Sequence, residues 1–449
     1  MRARLHLALL LLLLGAVIAS GGALATEPPA SDPAPPPAQQ DAAIHGQATF
    51  VLQGTPGFPS PYTGPNSLTP HQHKETADLT LYAGLRPWAG AELWINPEID
   101  QGFGLSNTLG VAGFPSAEAY KVGSRSPYLR LQRLFLRQTI GLGGGSEPVE
   151  AAANQLGGAR DRNRLVLTLG KIGVGDIFDQ NQYAHDPRGD FLNWALVDAG
   201  SFDYAADAWG YTTGIALEYY RGPWTVRFGA FNLSKVPNGE TLETGFGQYQ
   251  LDAELEHRQS IGGHEGAVRL TLFRNRGRFS RYDDAVALAA ATGQPVDPTL
   301  TRTRRTRMGA SLDIEQAVSD SVGLFARAGI ADGAIEPYDF TDIDRTVQLG
   351  AAIQGNAWHR AADRIGVAGV VNGISRAHQR YLDAGGLGVL VGDGRLPHPG
   401  PEYISELYYD FVPHRGTALT LDYQFVANPG YNRDRGPAHV FALRLHGAF

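Results

Sequence analysis

From Gly46 to the terminal Phe449 the chain keeps returning to one pattern, a stretch of about ten residues in which apolar and polar side chains alternate. A period of two places the two sets on opposite faces of a strand. In 248–257 one face carries Tyr249, Leu251, Ala253 and Leu255, and the other Gln248, Gln250, Asp252, Glu254 and Glu256. In 307–315 Met308, Ala310, Leu312 and Ile314 stand against Arg307, Gly309, Ser311, Asp313 and Glu315. A soluble sandwich or β-helix also alternates. It has no reason to give nearly every strand a polar inner face, because a closed core would have to bury it.

About sixteen segments of the length a tilted membrane strand needs can be marked. They lie at 46–53, 76–85, 91–100, 132–142, 164–172, 209–220, 224–232, 248–257, 267–275, 307–315, 322–331, 346–354, 364–372, 402–411, 417–427 and 439–449. In hydrocarbon no backbone group can go unpaired, so strands span a membrane only as a closed barrel. The expected fold is all-β, a closed antiparallel transmembrane β-barrel with inward-folded loops over 46–449.

The connections test this independently. Short links at 86–88, 221–223, 259–265, 317–321, 356–362 and 413–415 interleave with long ones at 54–75, 101–131, 173–208, 276–306 and 373–401. Short inner turns and long outer loops do this when both termini are periplasmic. The 143–163 link, Gly- and Ala-rich, is long where a short turn belongs; it is a periplasmic insertion or a miscounted strand. Trp88, Trp209, Tyr211, Trp224, Tyr403, Tyr409 and Phe411 sit near strand ends, as interfacial aromatic girdles do. The last strand ends on Phe449, and an aromatic carboxyl terminus resembles those of bacterial outer-membrane barrels, which implies handling by the barrel assembly machinery.

The chain also carries an address. Arg2 and Arg4 precede an apolar run over 5–18 and small residues ending Ala23-Leu24-Ala25, the order of a cleavable signal peptide over 1–25. Residues 26–45 follow as a Pro-rich periplasmic leader. No further stretch of about twenty apolar residues offers a transmembrane helix. The chain has no Cys, which suits passage through an oxidising compartment. Removing Arg2 and Arg4 takes the formal charge from −7 to about −9, and there is no basic field for nucleic acid.

The segment 91–100 concentrates polar groups on its inward face: Glu92, Trp94, Asn96, Glu98 and Asp100. An indole beside carboxylates and an amide matches a sugar ring, which has an apolar C–H face and hydroxyls around it; the same residues could be solvated wall. Next in sequence, Arg133 and Arg137 face inward, with Arg130 and Gln132 in the opposite phase, a sign of a bulge or of the strand's start. Arg164, Arg227, Arg269, Arg307, Arg327, Arg364 and Arg444 also point inward, opposite acids such as Asp252 and Glu254. Guanidinium groups facing carboxylates set up a transverse field and fixed donors for hydroxyls; pairing with the wall acids would serve equally to size the hole.

Two loops carry too many large apolar groups to lie free in water, and folding into the lumen would bury them. They contain Phe103, Asn107 and Phe114, and Asp176, Asp179, Asn181 and Arg188. An enzyme finds less support. Glu92 and Glu98 lie about 20 Å apart by strand rise, too far for glycoside hydrolysis. His71 and His73 lack a placed third metal ligand, and no catalytic or cofactor motif is present.

Four runs carry a family resemblance: Phe58-Pro59-Ser60-Pro61-Tyr62 with Gly64-Pro65-Asn66-Ser67-Leu68; Ala91-Glu92-Leu93-Trp94-Ile95-Asn96-Pro97-Glu98; Gly102-Phe103-Gly104-Leu105-Ser106-Asn107-Thr108-Leu109-Gly110-Val111-Ala112-Gly113-Phe114-Pro115; and Asp179, Asn181 and Tyr183 leading to His185-Asp186-Pro187-Arg188. From Gly46 to Phe449 the chain resembles the carbohydrate-selective porin (OprB-like) family; the leader and the long 143–163 link depart from it. The resemblance implies a sixteen-stranded outer-membrane channel through which small sugars, such as glucose, diffuse passively, with Glu92, Glu98, Arg133 and Arg137 among its pore charges. It implies no catalysis, cofactor or metal. The alternatives are a general or anion-preferring porin and a secreted β-rich carbohydrate-active enzyme. Partners are small sugars and outer-membrane lipid, and the lipid-facing pattern is the same for a monomer and a homotrimer.

Overall fold

A computed structural model describes residues 39–119 and 122–449. The signal peptide expected over 1–25 and the leader as far as Ala38 lie outside the described residues. The strands are β1 (Ala42–Thr55), β2 (Gln72–Leu85), β3 (Ala91–Gly102), β4 (Ser124–Gly141), β5 (Ser146–Val149), β6 (Gly158–Asp161), β7 (Arg164–Ile172), β8 (Thr212–Arg221) and β9 (Trp224–Asn232). Then come β10 (Tyr249–Ile261), β11 (His264–Phe279), β12 (Thr303–Ser319), β13 (Val322–Ala331), β14 (Arg345–Gly355), β15 (Arg360–Gly373), β16 (Glu402–His414), β17 (Thr417–Ala427) and β18 (Ala438–Ala448).

All but β5 and β6 form one closed barrel of sixteen strands in which each pairs antiparallel with its neighbours. Closure falls between β1 and β18, where the Phe449 N–H donates to Gly46 O at 3.0 Å and the Gly46 N–H to Phe449 O at 3.2 Å. The outer wall shows Leu79, Leu81, Ile95, Leu251, Leu312 and Leu421 to the surroundings, while Thr80, Glu98, Gln250, Asp313 and Thr420 are buried on the inner side. Each expected strand corresponds to one barrel strand.

The differences have local causes. β1 starts at Ala42, before Gly46, because 42–45 pair with 82–85 of β2. β4 starts at Ser124 and pairs through a register shift: Asn96 faces Arg133 but Pro97 faces Leu131, leaving Gln132 as the extra residue of a bulge. Pro97 has no N–H to continue the ladder there. The shift turns Gln132 and Arg133 both inward, which is why the phase breaks in that stretch. The 259–265 link shrinks to Gly262-Gly263, both at positive φ (62° and 85°), as a two-residue hairpin turn requires.

β8 starts at Thr212, so Trp209 and Tyr211 are not girdle aromatics. They are buried with the loop before β8, Trp209 beneath the Arg130 guanidinium at 3.3 Å from its ring centroid. Trp88, Trp224 and Tyr403 do stand exposed at strand ends.

The 143–163 link holds a separate two-stranded sheet, β5 with β6, and the barrel strands on either side of it keep the expected count. Among the described residues three helices lie in the long loops: α1 (Trp194–Val197), α2 (Tyr282–Thr292) and α3 (Arg376–Asp383). α1 is started by the Asn193 side chain, which accepts from the Ala195 N–H. α2 and α3 pack at the long-loop end, with Tyr282 stacked on His378 at 4.4 Å.

Candidate functional site

The 173–211 loop turns into the barrel and fills much of it. Phe178, Phe191, Leu192, Trp194, Leu196, Phe202, Tyr204 and Trp209 are all buried. The preceding long loop follows it in, and Phe114 stacks on Trp194 with ring centroids 5.2 Å apart. Apolar groups that would sit in water are thereby buried inside a polar wall, so every loop amide facing that wall needs an acceptor.

Wall carboxylates supply the acceptors. Glu406 takes the Leu192 and Asn193 N–H groups at 2.6 and 2.9 Å, and Glu402 takes those of Ala112 and Gly113 at 3.0 and 2.9 Å. Glu254 takes the Asp179 N–H at 2.9 Å. Wall arginines reach the loop carbonyls: Arg327 donates to Leu196 O and Asp179 O at 3.1 and 3.0 Å. Arg307 pairs with Asp203 of the loop at 2.9 Å. Buried charges of this kind hold geometry more than they add net stability.

Below the loop a cavity of about 1540 Å³ runs to the short-turn rim at Arg86, Arg258 and Ser260. Its inner end is made by Glu118, Asp186, Arg188, Trp194, Tyr204 and Tyr211. There Arg133 holds Asp176 through two bonds, at 2.8 and 2.6 Å, and its third nitrogen donates to Tyr211 Oη at 3.4 Å. Arg188 lies within 3.4 Å of Glu118, 3.7 Å of Asp78 and 3.8 Å of Glu98. On the wall, Arg227 meets Glu218, Glu254 and Glu256, and Arg269 meets Glu256, Asp313 and Glu315, all at 2.6–3.0 Å.

Two loop acids titrate in opposite directions. Burial pushes the Glu118 carboxyl well above its usual range, against the pull of Arg188. Burial acts on Asp176 as well, but the Arg133 charge and its hydrogen bonds outweigh it and hold Asp176 below the usual range.

The 143–163 insertion covers part of the short-turn mouth. Asn154 and Leu156 line the cavity, and Leu156 is buried. Arg137 donates to Asn154 O at 2.7 Å, and Glu92 accepts from the Leu156 N–H at 3.3 Å. Gln40, before β1, donates its N–H to Gly157 O at 3.0 Å and accepts the Gly157 N–H at 2.9 Å on its side-chain oxygen.

Of the residues singled out in the sequence, Glu92, Arg133, Arg137, Arg227, Arg269, Asp176, Asn181 and Arg188 line this cavity. Asn96, Glu98, Asp100, Asp252, Glu254, Arg307, Arg327, Asp179 and Phe114 are buried between wall and loop. Trp94 is not an open stacking face: it is fully buried, stacked on His45 and lying over Gly84, with its N–H on Glu92 at 2.9 Å. Phe103 and Asn107 do not reach the constriction. Asn107 is exposed, and Phe103 lies beneath Lys74, 5.9 Å from its ring centroid. Sequence reasoning passed over Glu118, Trp194, Tyr204 and Asn154. The apolar density of 191–204 was the available signal for two of them.

Residues 66–449 match the family described as carbohydrate-selective porin, OprB family. The chain belongs to the OprB family. It is therefore a porin of the outer membrane, in a family of channels and not of enzymes. The family match starts at Asn66, after β1. No curated protein matches the chain.

Among solved structures, OprB of Pseudomonas putida at high pH is similar over 91% of this chain and 94% of its own, at 18% identity and a TM-score of 0.69. That likeness shows the fold, the closed barrel shared with an OprB porin. The Vibrio cholerae outer-membrane protein OmpT with loop L8 deleted is similar at 9% identity and a TM-score of 0.48, over 91% of this chain and 99% of its own. The channel DcaP of Acinetobacter baumannii is similar at 12% identity and 0.47, over 91% and 97%.

Proposed function

We propose that this OprB-family porin admits small sugars, monosaccharides such as glucose among them, by passive diffusion with no chemical step. The observation that carries the reading is the inner end of the cavity, where the loop aromatics Trp194, Tyr204 and Tyr211 share the lining with Arg133, Asp176 and Arg188. A sugar ring needs both kinds of group, a flat apolar face for its C–H surface and fixed donors and acceptors for its hydroxyls. Its hydration is exchanged for these partners, and binding stays weak enough for release. The loop aromatics are themselves largely packed, Trp194 against Phe114 and Tyr204 against Phe340, but they reach the cavity lining and Trp94 does not, so the stacking role falls to them. In this reading the chain is exported by its signal peptide over 1–25 and assembled through its last strand.

Swelling of liposomes containing the refolded mature chain tests this. Monosaccharides should enter faster than size-matched neutral solutes that are not sugars. Entry ordered by size alone would make this a general porin, and faster entry of anions would make it an anion-preferring one.

A further inference from the structure

The outer wall carries a charge arrangement that the lumen does not explain. On the lipid-facing side of β11 and β12, at the long-loop end, Arg278 stands directly opposite Arg304 and Arg276 opposite Thr306, with Arg274 next along the same face. Arg274, Arg278 and Arg304 are exposed, and Arg276 is half-buried, donating to Thr306 Oγ1 at 3.3 Å. None of the four has an ion pair among the described residues. The arginines of the inner wall differ: Arg227, Arg269, Arg307 and Arg327 each meet two or more carboxylates.

Neighbouring acids are committed elsewhere. Asp284 pairs with Arg305 at 2.6 Å and Asp283 with Arg380 at 2.7 Å, while Asp332 accepts from the Ala334 N–H at 3.0 Å. Like charges directly opposite one another in an antiparallel pair are destabilising. An anion between them reverses the sign, and planar guanidinium forks suit a phosphate in particular.

What lies beside the patch indicates which kind of phosphate. Toward mid-barrel on the same face the wall becomes Leu270, Leu272, Met308 and Leu312, all exposed. An open, mostly apolar groove of about 770 Å³ runs across the outer wall from Leu270 to Val371, with Arg345 at its rim. Cationic groups at one level and an apolar wall below them match an acylated lipid, headgroup above chains.

We propose that this face of β11 and β12 binds the phosphorylated headgroup of a lipid in the leaflet around the long-loop end. The phosphate bridges Arg276, Arg278 and Arg304, and the acyl chains lie on the Leu270–Leu312 wall.

The test is native mass spectrometry of the whole barrel in detergent, offered bis-phosphorylated lipid A, the same glycolipid with its phosphates removed, or inorganic phosphate. The phosphorylated glycolipid should be retained at least fivefold more than the dephosphorylated one, and the triple variant Arg276→Gln, Arg278→Gln, Arg304→Gln should lose that difference. Equal retention of the two glycolipids, or an unchanged variant, overturns the proposal. Competition by inorganic phosphate at equal concentration would make this a free-anion site instead.

A second measurement does not depend on the triple variant folding. Arg304→Gln alone should raise the melting temperature of the lipid-free barrel, because it relieves the Arg278 repulsion, and should reduce the shift that the phosphorylated glycolipid produces. A lower lipid-free melting temperature with an unreduced lipid shift sinks the idea.

Discussion

Arg133 of the barrel wall and Asp176 of the inward loop are joined at two points, Nε to Oδ2 at 2.8 Å and Nη2 to Oδ1 at 2.6 Å. The pair does two things: it pins the loop to β4, and it cancels a cationic charge at the inner end of the cavity. Asp176→Asn keeps the shape and leaves the guanidinium uncompensated. One unit charge about 4 Å from a passing ion in water is worth about 1 kcal/mol, roughly fivefold. Planar-bilayer recordings under a salt gradient should therefore show the anion-to-cation permeability ratio rising by up to about fivefold in the variant. No shift would mean that ions do not pass this pair.

A pH effect follows from Glu118. Its carboxyl is held well above the usual range by burial, against the pull of Arg188, so its ionisation is displaced to higher pH. A raised acid of this kind contributes stability that is present below its unfolded value and is lost as pH rises through the folded one. Ionisation on the alkaline side also adds a negative charge beside Asp78 and Glu98, both near Arg188. Cation preference in bilayer recordings should increase as pH is raised through the displaced ionisation of Glu118, and Glu118→Gln should abolish that increase. A variant with the wild-type pH profile would assign the titration to another group.

The insertion is expected to act as a partial cover. Leu142 and Asn163 already pair at its base, the Leu142 N–H donating to Asn163 O at 2.9 Å. Replacing 143–162 by a two-residue Asn-Gly turn would let β4 run into β7 as an ordinary hairpin. Freed from Asn154 O and the Leu156 N–H, Arg137 and Glu92 would face the lumen. Single-channel conductance should rise while the barrel stays folded; unchanged conductance would place the insertion off the solute path.

Closure gives a prediction for assembly. Phe449 contributes the last two backbone bonds of the β1–β18 seam through Gly46, at 3.0 and 3.2 Å, and its ring is exposed. Deleting Phe449 removes those bonds without touching the lumen. The amount of heat-modifiable barrel recovered from outer membranes should fall, whereas refolded protein should keep wild-type sugar entry.

The barrel was legible because its constraint is local and repeated. Every strand must be apolar on one face and polar on the other, so the strands could be placed from alternation alone, and even the Pro97–Gln132 bulge announced itself as a break in phase. The site was less legible, because inward-pointing is not the same as solvent-facing. Alternation placed Trp94, Glu98, Arg307 and Arg327 on the inner wall, but only the path of the 173–211 loop decides which of them it covers. That path has no period to read. Its apolar density signalled that it folds inward, while its partner Glu406 is a wall acid separated from it by about two hundred residues.

Trp94 separates packing from permeation. Its indole is fully buried, stacked 6.5 Å from the His45 ring, and so close to Gly84 that a Cβ there would lie 2.5 Å from it. Trp94→Ala leaves a cavity between β1, β2 and β3, and aromatic-to-alanine changes of this kind cost about 3–5 kcal/mol. The free energy of unfolding, from urea titration of the barrel in detergent, should fall by about that amount. Liposome swelling with monosaccharides should stay near wild type relative to size-matched controls, because no open face of the indole is lost. Trp194→Ala, at a ring packed on Phe114 that also lines the cavity, should lower stability as well and in addition lose the preference for sugars over those controls. If Trp94→Ala instead removed the preference at unchanged stability, the ring would have to be reached by solute, and the burial beneath His45 would not describe the conducting channel.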